Sequence, residues 1–249
     1  MAVLGIDIGG SGIKGAPVDV ETGELLRDRF RIATPYPGNK EQVTEIIRRI
    51  VDHFNWIEKI GVGFSGVVRH NVIQTAANLS SEWVGEDLAA IITSTTTCPA
   101  RVFNDADLAG LAEMRFGAGK QFENEYVLFL TVGTGIGSAL FVKGQLWPNA
   151  ELGHLKIRGK EAEHRAGDGV RKEKDLSWKK WGKRLSEVLQ VYDKLLTPDV
   201  MILGGGVSKK FDKFGKYLKH IQARVIPAEL RNTAGIIGAA MGAAESIRV

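Results

Sequence analysis

The chain has 249 residues, 44% of them apolar and 25% charged, with a net charge of +4, a composition that excludes disordered and fibrous classes and suits a globular protein. Its one cysteine, Cys98, excludes an internal disulfide and a cysteine-built zinc site, and no apolar run is long enough to span a bilayer. The N-terminus opens directly on an apolar strand with no signal-peptide pattern, so a cytoplasmic location is expected. The length suits two modest lobes or one large α/β unit.

Residues 2–8 form an apolar strand interrupted by Asp7, Gly9-Gly10-Ser11-Gly12 a turn, and 13–18 a returning strand. An Asp in such a strand is costly to bury unless a cation or a metal-phosphate group meets it, or unless it bonds the turn amides. A third strand is expected over 25–33, then a loop, then a helix over 40–54 with apolar residues at helical spacing. Residues 60–64 form a strand parallel to the first and end in Ser65-Gly66, giving a β-α-β unit. A mostly loop region follows, with a short strand near 72–75 and Asn78 beyond it. A helix over 87–95 leads to a strand over 100–103 that ends in Asn104-Asp105, and a helix over 108–116 starts with Asp107 suited to its N-terminus. Polar groups beyond a strand's carboxyl end are where open α/β sheets bind ligands.

The central stretch repeats the opening. Residues 127–132 and 138–142 are strands joined by Gly133-Thr134-Gly135-Ile136-Gly137, 124 positions after the first turn. An ordinary hairpin needs one or two glycines for positive φ, whereas three at alternate positions beside Thr131 and Thr134 expose backbone N–H groups and hydroxyls that suit phosphate. Two related strand-turn-strand units suggest halves of similar fold facing one another across a cleft, the first over about 1–110 and the second over 111–249, with the final helix free to pack back on the first lobe. Glu151-Leu152-Gly153-His154 is expected in a loop, and 161–174 has no clean apolar period. A long amphipathic helix is expected over 176–196, a buried strand over 200–203 before Gly204-Gly205-Gly206, a helix over 208–219, a strand over 223–227 and a small-residue helix over 234–246. Charge is uneven: 156–224 holds 18 Lys and Arg against 9 Asp and Glu, a net of +9. Lys179, Lys180, Lys183, Lys209, Lys210 and Lys213 belong to this excess, which reads either as solvated helix faces or as a track for an extended anion.

Together these motifs resemble the actin-like ATPase (ribonuclease H-like) fold of sugar kinases, and within it the family of repressors, open reading frames and sugar kinases. Asp7-Ile8-Gly9-Gly10-Ser11 resembles its first phosphate motif, Gly133-Thr134-Gly135-Ile136-Gly137 its second, and Asn104-Asp105 its sugar-and-base pair. Glu151-Leu152-Gly153-His154 resembles its sugar clamp and Leu203-Gly204-Gly205-Gly206 its nucleotide-side motif. The stretches 148–154 and 175–178 resemble the subgroup that phosphorylates glucose from inorganic polyphosphate.

The resemblance implies an α/β phosphotransferase with Asp105 as base, and Ser65, Gly66, Asn78, Asn104, Glu151 and His154 around the sugar. Asp7, Gly9, Gly10, Ser11, Lys14, Thr131, Gly133, Thr134, Gly135, Gly205 and Gly206 lie on the phosphate side, with Mg²⁺ held at Asp7 through water. Simpler roles stay open: Asp105 as a helix cap, His154 as a structural histidine, Asn78 as a turn former and Lys14 as a solvated lysine. The implied partners are glucose (with mannose as a variant) and polyphosphate or ATP, in a homodimer that binds neither nucleic acid nor membrane. Relatives follow the Gly-His pair with a zinc-binding cysteine cluster, whereas 155–174 holds no cysteine here, so no structural zinc is expected. Glu161 and Glu163 are the two candidates for the family's second sugar-contacting Glu. A non-catalytic sugar sensor is the competing reading, disfavoured by Asp105 and by the lack of an N-terminal helix-turn-helix.

Overall fold

The computed structural model describes residues 1–76 and 79–244. They fall into two compact units, Met1–Ala112 with the segment from Thr233 onward, and Glu113–Asn232.

In the first unit the Ala2–Gly9 and Gly12–Asp19 strands form an antiparallel hairpin, and Ile60–Phe64 and then Ala100–Asn104 add in parallel beside Ala2–Gly9. On the outer side Glu24–Leu25 and Phe30–Ile32 both pair with Gly12–Asp19. The Ala2–Gly9 strand is apolar along nearly its whole length because both of its faces are covered, as parallel neighbours require. The Lys40–Phe54 helix makes the crossover. Asn39 and Gln42 form a reciprocal capping box at its start, and Val43, Ile46, Ile47, Ile50, Val51 and Phe54 are its buried stripe. The Ala234–Ala244 helix lies so close to the sheet that a Cβ on Gly5 would collide with the Ile236 carbonyl, and one on Gly61 with the Ala239 carbonyl. Its run of Gly and Ala is therefore a packing requirement.

The second unit repeats this plan. Its sheet runs Gln145–Trp147, Ile136–Val142, Tyr126–Val132, Val200–Gly204, Arg224–Pro227, in which a hairpin is again extended by two parallel strands. The crossover helix Trp178–Leu196 is capped by Ser177 and buries Trp181, Leu185, Val188, Leu189 and Tyr192 against the strands. No helix among the described residues is long and apolar enough to cross a membrane.

Several elements differ from the sequence expectation. The third strand over 25–33 is two short pieces, Glu24–Leu25 and Phe30–Ile32. The strand near 72–75 shortens to Val72–Ile73, paired with Val68–Arg69. The stretch 161–174 contains two short helices, Ala162–Ala166 and Asp168–Glu173, too brief to display an apolar period. The expected 208–219 helix is broken into a 3₁₀ turn (Gly206–Lys210), a single α turn (Phe211–Phe214) and another 3₁₀ turn (Gly215–Tyr217). Short pieces suffice there because Phe211, Phe214 and Leu218 pack on the same core as Trp178 and Trp181.

An alanine at Gly61 has to displace the Ala239 backbone, and overpacking of this kind costs about 1–3 kcal/mol. We expect Gly61→Ala to lower the urea midpoint of the purified protein accordingly, and an unchanged midpoint would show that the Ala234–Ala244 helix is not held at this distance.

Candidate active site

In the first unit Phe64 pairs with Asn104 at the carboxyl ends of two parallel strands, so Ser65-Gly66 and Asp105 leave the sheet side by side. Asn104, only 3% exposed, joins them. Its Oδ1 accepts from the Ala106 N–H at 2.9 Å and the Asp107 N–H at 3.0 Å, while Nδ2 donates to the Gly66 carbonyl at 3.0 Å. The helix therefore begins at Asp105 rather than 108, and Asn104 is its cap, the role expected of Asp107. Asp105 takes the first helical position, where an acidic group complements the helix dipole. Asn78 lies outside the described residues.

Asp7 faces Lys14 across the opening hairpin, with Lys14 Nζ 2.7 Å from Asp7 Oδ2, so the nearly buried carboxylate has its cation. Lys14 in turn pairs with Arg31 on the next strand. Arg31 reaches over the turn and donates to the Ser11 carbonyl at 2.6 Å, and Thr34 Oγ1 donates to the Gly9 carbonyl at 2.6 Å. Among the described residues Arg31 forms no ion pair, so its charge at this turn is unneutralised. Sequence reasoning missed it because its place follows from strand register.

None of Gly9, Gly12, Gly133 and Gly135 takes a left-handed φ. At three of them the close approach of a neighbour counts instead: a Cβ on Gly12 would strike the Arg31 guanidinium, one on Gly135 the Glu163 carboxylate, and one on Gly9 would sit 3.3 Å from the Gly12 carbonyl. Gly167 and Gly169 crowd the Thr134 carbonyl, each leaving 2.7 Å for a Cβ, and the Gly169 N–H donates to the Gly133 carbonyl at 3.1 Å. Parallel pairing sets Gly204 beside Thr131. Gly205 does need its positive φ of 75°, and a Cβ there would strike the Val132 backbone. Thr131, Gly133, Thr134, Gly135, Gly205 and Gly206 thus belong to neighbouring turns at one end of the second sheet.

The Leu152–His154 turn is fixed from two sides. Ser138 Oγ donates to the Ala150 carbonyl and accepts from the Leu152 N–H, and Tyr192 OH donates to the Leu152 carbonyl at 2.7 Å. Burial, and secondarily the Glu163 carboxylate, push the Tyr192 hydroxyl well above the ordinary tyrosine range, so it remains a donor. His154 lies between carboxylates, with Nδ1 3.3 Å from Glu161 Oε2 and Nε2 3.6 Å from Glu151 Oε2. Glu163 is more enclosed, and its Oε2 accepts from the Ile136 N–H at 3.4 Å. His154, Glu161 and Glu163 each place a ligand atom within 4.8 Å of the others, a spacing that suits a cation, but the His154–Glu161 pairing accounts for part of it without one. Lys179, Lys180, Lys183, Lys209, Lys210 and Lys213 are all exposed, and among the described residues none is ion-paired.

Two sheets of the same strand order, each opening on a hairpin with a glycine-rich turn, define the class as the actin-like ATPase fold. The ROK family model matches residues 3–170. The polyphosphate glucokinase of Mycobacterium tuberculosis (strain CDC 1551 / Oshkosh) is 46% identical over 239 residues, covering 96% of this chain and 89% of the relative. An inorganic polyphosphate/ATP-glucomannokinase from Arthrobacter sp. strain KM superposes with a TM-score of 0.94 at 42% identity over 98% of both chains. A ROK family glucokinase from Streptomyces griseus, solved with glucose and AMPPNP, shares the fold with a TM-score of 0.84 at 24% identity, covering 98% of this chain and 99% of that one. The chain belongs to the ROK family.

Proposed function

We propose that this protein transfers a phosphoryl group from inorganic polyphosphate to the 6-hydroxyl of glucose. The observation that carries the reading is the 46% identity, sustained over 96% of the chain, to a protein named polyphosphate glucokinase. The Arthrobacter protein's name adds ATP as a second donor and mannose as a second acceptor, and both belong to the reading as secondary substrates.

Asp105 takes the proton of the 6-hydroxyl as that oxygen bonds to the terminal phosphorus. The bond from this phosphorus to the bridging oxygen breaks, leaving glucose 6-phosphate and a chain shorter by one phosphate. Asn104 holds the junction from which Asp105 projects, next to Ser65 and Gly66. Glu151 and His154 accept from ring hydroxyls, and Asn78 is a further residue assigned to the sugar. Of the two candidates for the second sugar-facing carboxylate we assign Glu163, because Glu161 Oε2 is already met by the imidazoles of His154 and His164 at 3.3 Å each.

The backbone of Gly9, Gly10 and Ser11, and that of Thr131, Gly133, Thr134 and Gly135, binds the donor phosphates, with Gly205 and Gly206 beside the second group. Lys14 and Arg31 supply cationic support. A lone carboxylate such as Asp7, already salt-bridged to Lys14, suits a Mg²⁺ ion that keeps most of its waters. When bound, that ion neutralises phosphate charge.

Asp105→Asn keeps the size of the side chain but cannot take the proton. We expect kcat to fall by at least about 10²- to 10⁴-fold while glucose still protects the variant against thermal unfolding. Turnover near that of wild type in the folded variant would remove Asp105 from the mechanism.

The donor leaves a separate signature. A long polyanion on exposed lysines releases counterions, so KM for long polyphosphate should rise steeply with salt while KM for glucose barely moves. Charge reversal of Lys209 and Lys210 to Glu should raise the polyphosphate KM far more than it lowers kcat. A polyphosphate KM indifferent to both salt and the reversals would reject the basic track.

A further inference from the structure

His154 is a neutral acceptor for a sugar hydroxyl only if the proton sits on Nδ1, and an imidazole's tautomer is set by the partner of its other nitrogen. That partner is visible. Glu161, at the entry to the Ala162–Ala166 helix, brings Oε2 to 3.3 Å from His154 Nδ1. An ionised carboxylate can only accept, so the pairing requires Nδ1–H, and in the neutral imidazole Nε2 is then the acceptor. Nε2 then stands 3.6 Å from Glu151 Oε2, which is also an acceptor. In that form Nε2 can accept from a sugar hydroxyl.

We propose that Glu161 is a positioning residue whose carboxylate holds His154 in the Nδ1–H tautomer and so turns Nε2 into an acceptor for a sugar hydroxyl. This rests on the assignment of His154 to the sugar. Glu161 is suited to the task because its own place is constrained: the preceding Lys156–Ile157 and Lys160–Glu161 strands form a tight hairpin, and the Ala162 N–H donates to the Leu155 carbonyl at 2.9 Å. The hairpin thus folds the chain back onto the residue that follows His154. His164 reaches the same Glu161 oxygen at 3.3 Å, but its side chain is 67% exposed against 46% for His154, so water competes for that bond more strongly. Glu163 faces Gly135 and the Ile136 N–H instead. Of the two acids in Lys160-Glu161-Ala162-Glu163, Glu161 is therefore the one that meets His154.

The test combines spectroscopy with kinetics on the full-length protein. In ¹⁵N-histidine-labelled protein near neutral pH, with His154 assigned among the five histidines by its loss in His154→Asn, two-bond ¹H–¹⁵N correlations should show protonated Nδ1 and bare Nε2. In Glu161→Ala the tautomers should mix and KM for glucose should rise about ten-fold or more, while kcat and the polyphosphate KM stay within about two-fold. Glu161→Asp should restore both the spectrum and the glucose KM. An imidazolium or Nε2–H form in the wild type overturns the proposal, as does an unchanged tautomer in Glu161→Ala. An unchanged glucose KM in Glu161→Ala, with His154→Ala raising it, also overturns it while leaving the sugar site intact. An unchanged glucose KM in His154→Ala fails the sugar assignment, and with it this role for Glu161, even where the spectrum confirms the pairing.

Discussion

Backbone packed directly on backbone around the second glycine turn is the constraint on which the second unit's arrangement depends. A Cβ on Gly135 would strike Glu163 Oε2, and one on Gly153 would strike the Ile136 carbonyl with the same Glu163 oxygen 3.6 Å away. The phosphate-type turn, the Leu152–His154 turn and the Ala162–Ala166 helix consequently meet almost backbone to backbone. Groups packed this closely hold one another in place. Ser138 and Tyr192 secure the same segment from the sheet and from the long helix, so the residues assigned to the sugar do not sit on a loose loop. The first unit uses the same device where Gly5 and Gly61 admit the Ala234–Ala244 helix.

The two sheets share one strand order but finish their turns differently. At the opening turn the backing groups are Arg31 and Thr34, which bond the Ser11 and Gly9 carbonyls, and the net local charge is positive because Lys14 is already matched by Asp7. At the second turn the backing group is a carboxylate, Glu163, with Gly167 and Gly169 pressed on Thr134. One strand order thus yields a cationic turn suited to anion binding and a turn walled by a carboxylate. In both units the polar residues collect beyond the carboxyl ends of parallel strands, where an α/β sheet leaves its ligand sites.

Much of this was legible in the chain. The hairpin repeat, the parallel strands after each hairpin and the two long amphipathic helices have strong periodicity, and their apolar stripes match the buried faces. The expectation failed where structure depends on neighbours distant in sequence. Asn104 caps its helix and ties down Gly66, which composition cannot distinguish from a cap at Asp107. Arg31 reaches its turn only through strand register. The turn glycines signal exposed backbone N–H groups in sequence, but not that Gly9, Gly12 and Gly135 sit against close neighbours. Glu161 and Glu163 look interchangeable in sequence, and the contact of Glu161 with His154 follows from a short hairpin that periodicity does not detect.

The central claim is a transfer reaction, and it is tested most directly by its product. Purified protein incubated with glucose, Mg²⁺ and long-chain inorganic polyphosphate freed of nucleotide should form glucose 6-phosphate, with polyphosphate shortened by one phosphate per turnover and at a higher kcat/KM than with ATP. Formation of glucose 6-phosphate from ATP alone would contradict the donor assignment, and no product from either donor, in protein that still binds glucose, would contradict the account as a whole.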